Sequence, residues 1–185
     1  EKTARDASEL KNWVEVGVGG VFLDGDKAQF MQRHRMPNSA FGGIDAFHWE
    51  QMVSTNGLLK IDGRGLYDLH DYQLKLDMTW EEKGFVRAGY NEFRTWYDGS
   101  GGYVTQPRPT WISLYDENLY VDRGEAWFEA GLRIPDVPFV TFKYSHQFRR
   151  GTKDSTSQGQ AGVPQGQTRP LARNIVPAFW DLDEV

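Results

Sequence analysis

Tyr72-Gln73-Leu74-Lys75-Leu76-Asp77-Met78-Thr79-Trp80 is the stretch that decides the fold. Its even positions are apolar and its odd positions are polar. Successive side chains of an extended chain point to opposite faces, so a period of two predicts a strand with one greasy side and one wet side. The pattern recurs further along. Val140, Phe142, Tyr144 and Phe148 alternate with Thr141, Lys143, Ser145, Gln147 and Arg149. Ala126, Phe128, Ala130, Leu132 and Ile134 stand against Arg123, Glu125, Glu129 and Arg133.

Outward from this stretch, a first strand is expected over 13–23, with Val14, Val16, Val18 and Phe22 on one face. Asp24-Gly25-Asp26 suits a short turn, because Asp and Gly tolerate left-handed backbone. A second strand over 27–33 and a loop over 34–43 follow, the junction carrying the basic group Arg33, His34, Arg35. A third strand over 44–54 turns at Thr55-Asn56-Gly57, a strong hairpin signal, into a fourth over 58–66. The fifth spans 72–80, a turn follows over 81–84, and the sixth spans 85–97. A long loop of Gly, Pro and aromatic residues covers 98–118. The seventh strand is expected over 119–134, a turn at Pro135-Asp136-Val137-Pro138, and the eighth over 139–149. The polar stretch from 150 to 170 reads as a mobile loop. Residues 171–180 can begin another strand, though Pro177 disfavours a central place in a ladder. No helix of consequence is expected.

Tight turns thus fall near residues 25, 56, 82 and 136, and longer links near 38, 69, 108 and 160. In an up-and-down meander every second connection lies at the same end, so the two sets occupy opposite rims. Short turns on one rim, long loops on the other and a charged second face are the marks of a transmembrane β-barrel. The expected fold is therefore an all-β, antiparallel up-and-down meander forming part or all of such a barrel. The 185 residues are read as a single barrel domain or a fragment of one, with 1–11 as an N-terminal tail.

Composition agrees with this class. Mean hydropathy is −0.63, and no run approaches the roughly 20 apolar residues of a spanning helix. A barrel survives that test because only alternate residues of its strands meet lipid. There is no cysteine, which removes thiol catalysis, thiolate metal sites and disulfides. A net charge of −5 argues against nucleic acid as a partner. Glu1 to Leu10 holds no apolar signal core, so an exported protein would be represented by its mature form or by an interior piece.

The charged face supplies lumen-facing candidates: Lys75, Asp77, Arg123, Glu125, Glu129, Arg133, Lys143 and Arg149. The apolar face supplies lipid-facing candidates: Leu74, Leu76, Met78, Phe128, Leu132, Phe142 and Tyr144. Tyr72, Trp80, Phe85 and Phe139 flank connections and are candidates for the aromatic girdles of a barrel. A soluble sheet with a solvated outer face is the plainer account of the same alternation, but it needs a second sheet to cover the apolar side. That soluble β-sandwich or small barrel would bind carbohydrate through the aromatic loop 97–115, stacking sugars on Tyr103, Trp111 or Tyr115. A third reading is a hydrolase using Glu125 or Glu129. Arg123 and Arg133 on the same face make structural ion pairing the simpler role for those carboxylates. The four histidines, His34, His48, His70 and His146, show no metal-ligand spacing, and no catalytic residue, metal or cofactor is read from the chain.

Three stretches carry a resemblance. Residues 84–98 (GFVRAGYNEFRTWYD), residues 122–133 (DRGEAWFEAGLR) and residues 142–149 (FKYSHQFR) resemble the N-terminal part of large bacterial outer-membrane barrels. They are distantly similar to the barrels of porin–cytochrome conduits, and the likeness covers most of residues 11 to 184. The resemblance implies location in the bacterial outer membrane, membrane lipid as a partner and no enzymatic activity. It also implies a role as a pore or as a scaffold around a multihaem cytochrome or another protein inside or beside the barrel.

Overall fold

A computed structural model of the chain describes residues 12–104, 110–114, 118–159 and 172–184. In chain order the elements are β1 (Trp13–Gly20), α1 (Lys27–His34), β2 (Ala40–Ser54), β3 (Gly57–Tyr67), β4 (Asp71–Trp80) and β5 (Gly84–Tyr97). There follow β6 (Ser100–Val104), β7 (Thr110–Ser113), β8 (Leu119–Leu132), β9 (Val140–Gly159) and β10 (Ala172–Glu184). Eight strands form one sheet in the order β1-β2-β3-β4-β5-β8-β9-β10, while β6 and β7 pair as a separate hairpin. Every pairing is antiparallel, so the all-β up-and-down meander is present. The alternating stretches named above lie in strands of this sheet, except that β8 ends at Leu132 and leaves Arg133 and Ile134 outside it. No helix among the described residues is long and apolar enough to cross a membrane, which says nothing about strands.

Three expectations are corrected. The strand expected over 27–33 is the helix α1. Asp26 caps it by accepting a hydrogen bond from the Gln29 N–H at 2.9 Å. Arg35 ends it in the left-handed region, its N–H donating to the Met31 carbonyl at 2.8 Å. The turn near residue 25 is therefore no hairpin but the start of one connection running from β1 to β2. The second correction concerns 150–159, expected as loop, which continues β9 and pairs with β10. Residues 160–171, and the tail 1–11, lie outside the described residues. Third, part of the long loop after β5 is itself the β6–β7 hairpin. Pro177 does occupy a strand, but one at the edge of the described sheet, where its missing N–H disturbs only one side.

The rims remain unequal after these changes. At one end the links are residues 55–56, 81–83 and 133–139. At the other end lie the α1 connection, the short link 68–70, the β6–β7 connection and the β9–β10 link.

Glycines are paired with aromatics across the strands. A Cβ on Gly89 would come within 2.4 Å of the Trp127 ring, and one on Gly131 within 2.4 Å of Phe85. Gly124 likewise lies under Phe148, and Gly57 under Trp80. Each of these four rings lies over a neighbour with no side chain, so these glycines make room for rings.

Candidate functional site: the two faces of the sheet

Residues directly opposite in an antiparallel pair share a face, so the register assigns every side chain. Leu74 lies opposite Tyr90, Leu76 opposite Ala88, Met78 opposite Val86 and Trp80 opposite Gly84. Those four in β5 meet Ala126, Phe128, Ala130 and Leu132 in β8. These in turn meet His146, Tyr144, Phe142 and Val140 in β9. On the other side, β3 contributes Gly63, Ile61, Leu59 and Gly57 to the same rows. All seven lipid-facing candidates therefore share one surface. Among the described residues, these four rows carry no Asp, Glu, Lys or Arg on this side. In a chain that is 25% charged, so clean a band follows from strict alternation.

Nothing among the described residues covers the band. Leu74, Phe128, Leu132, Val140, Phe142 and Tyr144 are exposed, Phe142 by 60%. Among the described residues the buried hydrophobic core is Trp96, Leu119 and Val121. The second sheet that a sandwich needs is not found among the described residues.

The band has ends. At the short-link rim Trp80 lies in its outermost row. Toward the other rim the next row brings Tyr72 opposite Glu92, and the row beyond it sets Arg94 against Asp122 and Arg150. From Leu74 to Trp80, the span of the four charge-free rows, a strand rising about 3.3 Å per residue advances on the order of 20 Å along its own axis. Beyond that height the charges are paired. Arg94 grips Asp122 with two hydrogen bonds of 2.6 and 2.7 Å and lies 3.6 Å from the Tyr120 ring centre. Arg150 reaches Asp181 at 3.6 Å and Asp183 at 3.4 Å.

The opposite face is polar and self-neutralising. One transverse row runs Glu50, Lys60, Asp77, Arg87, Glu129, Lys143 across six strands, alternating in sign. Within it Glu50 pairs with Lys60 at 2.9 Å, Asp77 with Arg87 at 3.0 Å and Glu129 with Lys143 at 3.3 Å. The next row sets His48 against Asp62 at 2.6 Å and brings in Lys75. Glu125 accepts a hydrogen bond from the Ser145 hydroxyl at 2.6 Å, and Arg123 donates to the Tyr97 hydroxyl at 3.1 Å. Arg149 lies opposite Arg123. Of the eight lumen-facing candidates, seven share this face, and Arg133 falls just beyond the end of β8. The hydrolase candidates Glu125 and Glu129 are thus each engaged by a neighbour on this face.

The girdle candidates divide. Trp80 and Tyr72 lie on the apolar face, at opposite ends of the band. Phe85 points to the polar face instead, because the link is only 81–83 and Gly84, not Phe85, sits opposite Trp80. There the Arg87 guanidinium lies 4.4 Å from its ring centre, and Phe139 packs at 6.4 Å between centroids. Of the sugar-stacking candidates, Tyr103 and Trp111 fall on β6 and β7, and Tyr115 lies outside the described residues.

One element escaped the sequence reading and bears on the polar face. Helix α1 follows β1 yet packs against β5, and the Gln32 side-chain carbonyl accepts from the Asp98 N–H at 2.6 Å. A cavity of about 280 Å³ lies where Arg35, just after the helix, meets Arg64, Asp71, Asn91 and Phe93 of the polar face. The connection therefore folds over the wet side of the sheet. His70, Glu92 and Asp122 bring possible ligand atoms within 4.8 Å of one another on the other side. Arg94 already holds Asp122 bidentately and the Tyr90 hydroxyl donates to Glu92, so a cation there would compete with a guanidinium.

No family model, no curated protein and no solved structure matches this chain.

Proposed function

We propose that the chain forms part or all of a bacterial outer-membrane β-barrel that has no enzymatic activity and acts as a pore or as a scaffold around a partner. The observation that carries this reading is the uncovered, charge-free apolar band. Its four rows run on the order of 20 Å along the strands, against an apolar belt about 25 Å tall in outer-membrane barrels. A monomeric soluble protein rarely leaves so large an apolar patch in water. The polar face, with its ion pairs closed between neighbouring strands, suits a wet lumen. Helix α1, folded over that face, narrows the space available to a solute or partner. The resemblance to porin–cytochrome conduit barrels makes a multihaem cytochrome the leading candidate for that partner.

Among the described residues, β1 and β10 each have a strand on one side only. A bilayer accommodates no open sheet edge, because unpaired N–H and C=O groups find no water there. Both edges must therefore gain partners in the membrane, from each other or from further strands. The test is solvent dependence. Circular dichroism and urea titration in detergent micelles should show a cooperative β-sheet transition that is missing in plain buffer. A monomer that unfolds cooperatively in buffer without detergent would sink the membrane assignment.

A further inference from the structure

The register leaves a gap in the apolar band beside Trp80. Trp80 leans toward β3, where its Cδ1 atom lies 2.8 Å from the place a Cβ on Gly57 would take. On its other side the opposite residue is Gly84, held at φ +146, where a Cβ would meet the Gly131 carbonyl oxygen at 2.1 Å. No side chain can therefore fill the floor between Trp80 and Leu132. The result is an open groove of about 560 Å³ with Val86 and Ala130 in its bed and Leu132 and Phe142 along one wall. Lys83, in the three-residue link, is the one charged residue among the described residues that line it. This lysine makes no ion pair among the described residues. Glu81, Glu82, Arg87 and Arg133 line an adjoining cavity that shares Trp80, Gly84 and Phe85 with the groove and also takes in Thr79 of the polar face.

We propose that this groove binds one acyl chain of an anionic phospholipid, with the lipid phosphate on Lys83. An apolar trough whose one charged lining residue among the described residues is a cation is complementary to an amphiphile with a negative head. Its volume falls within the range of small-ligand sites. Trp80, with its apolar body and its N–H, stands where tail gives way to headgroup. The proposal rests on the membrane reading above, and its test separates the two.

The chain is reconstituted in phosphatidylcholine vesicles carrying a trace of spin-labelled phosphatidylglycerol or spin-labelled phosphatidylcholine. Electron paramagnetic resonance then reads the motionally restricted fraction of each. Phosphatidylglycerol should be favoured about fivefold, the contribution of one basic side chain near a membrane surface. Lys83→Gln should abolish the preference and Lys83→Arg should keep it. Ala130→Phe, a larger apolar group on a face already exposed to lipid, should fill the bed and lower the restricted phosphatidylglycerol without changing insertion. Equal restriction of the two lipids by the wild type, or a preference that survives Lys83→Gln, overturns the groove while leaving the membrane reading intact. Failure of the wild type to enter vesicles at all overturns both.

Discussion

At the scale of single residues, adjacent positions in one strand are expected to behave as if in different solvents. Phe142 lies on the apolar face and is 60% exposed, whereas Lys143 points the other way and pairs with Glu129 at 3.3 Å. Phe142→Arg should cost on the order of 2–4 kcal/mol in lipid, the usual penalty for a cation near the bilayer midplane. Lys143→Leu removes an exposed ion pair worth only about 0–1 kcal/mol. Denaturant titrations of the refolded variants in lipid vesicles measure both, and equal losses would count against a lipid-facing Phe142. A second contrast concerns glycine. Gly84→Ala must push a methyl into the Gly131 carbonyl from a left-handed backbone, so a loss of about 1–3 kcal/mol is expected. Gly65→Ala meets nothing nearer than the Tyr72 ring at 3.7 Å and should gain roughly 0.5–1 kcal/mol. Side-chain direction was largely legible because alternation has a strict period of two. Phe85 shows where it was not. Counting Gly84 into the turn places Phe85 opposite Trp80, and a slip of one residue exchanges the faces. Arg87, two residues on, carried the missing signal, since Phe85 and Arg87 must point the same way.

At the scale of elements, the strands announced themselves and the helix did not. In 27–33, Ala28 and Phe30 alternate with Lys27 and Gln29, which imitates a strand over four residues. Asp26 followed three residues later by Gln29 is the opposing cue, the spacing of a helix N-terminus, and Arg33 and His34 in the last turn suit its C-terminal end. An eight-residue helix is marginal by itself, so its contacts with β5 and Asp98 must help to hold it. Asp26→Ala should therefore cost about 0.5–2 kcal/mol locally. Hydrogen exchange gives the readout: the Phe30 and Arg35 amides, bonded to Asp26 and Met31, should lose protection while the β4–β5 amides keep theirs. Uniform loss across the sheet would mean that α1 is needed for the fold itself. The extension of β9 to Gly159 was hidden for a different reason. Its sequence after Arg150 has no apolar face to alternate, and pairing with β10 supplies what pattern could not.

At the scale of the molecule, the unequal rims predict an orientation for a membrane-spanning sheet, and that orientation can be tested in cells. Outer-membrane barrels keep short turns on the periplasmic side and long loops outside. If this sheet follows the rule, residues 55–56 and 81–83 face the periplasm, and the α1 connection faces the exterior. Because the chain has no cysteine, a single introduced thiol reports its own location. Asp24 lies exposed in the α1 connection, and Glu81 lies exposed in the short link between β4 and β5. Neither side chain has a partner among the described residues, so neither substitution should disturb the sheet. In intact cells a membrane-impermeant maleimide should label Asp24→Cys and leave Glu81→Cys unmodified. Opening the outer membrane should then expose Glu81→Cys to the reagent. Reversed labelling would keep the barrel but invert it. Labelling of both positions in intact cells, or equal recovery of both from the soluble fraction, would place the two rims in one compartment, which no membrane-spanning sheet permits.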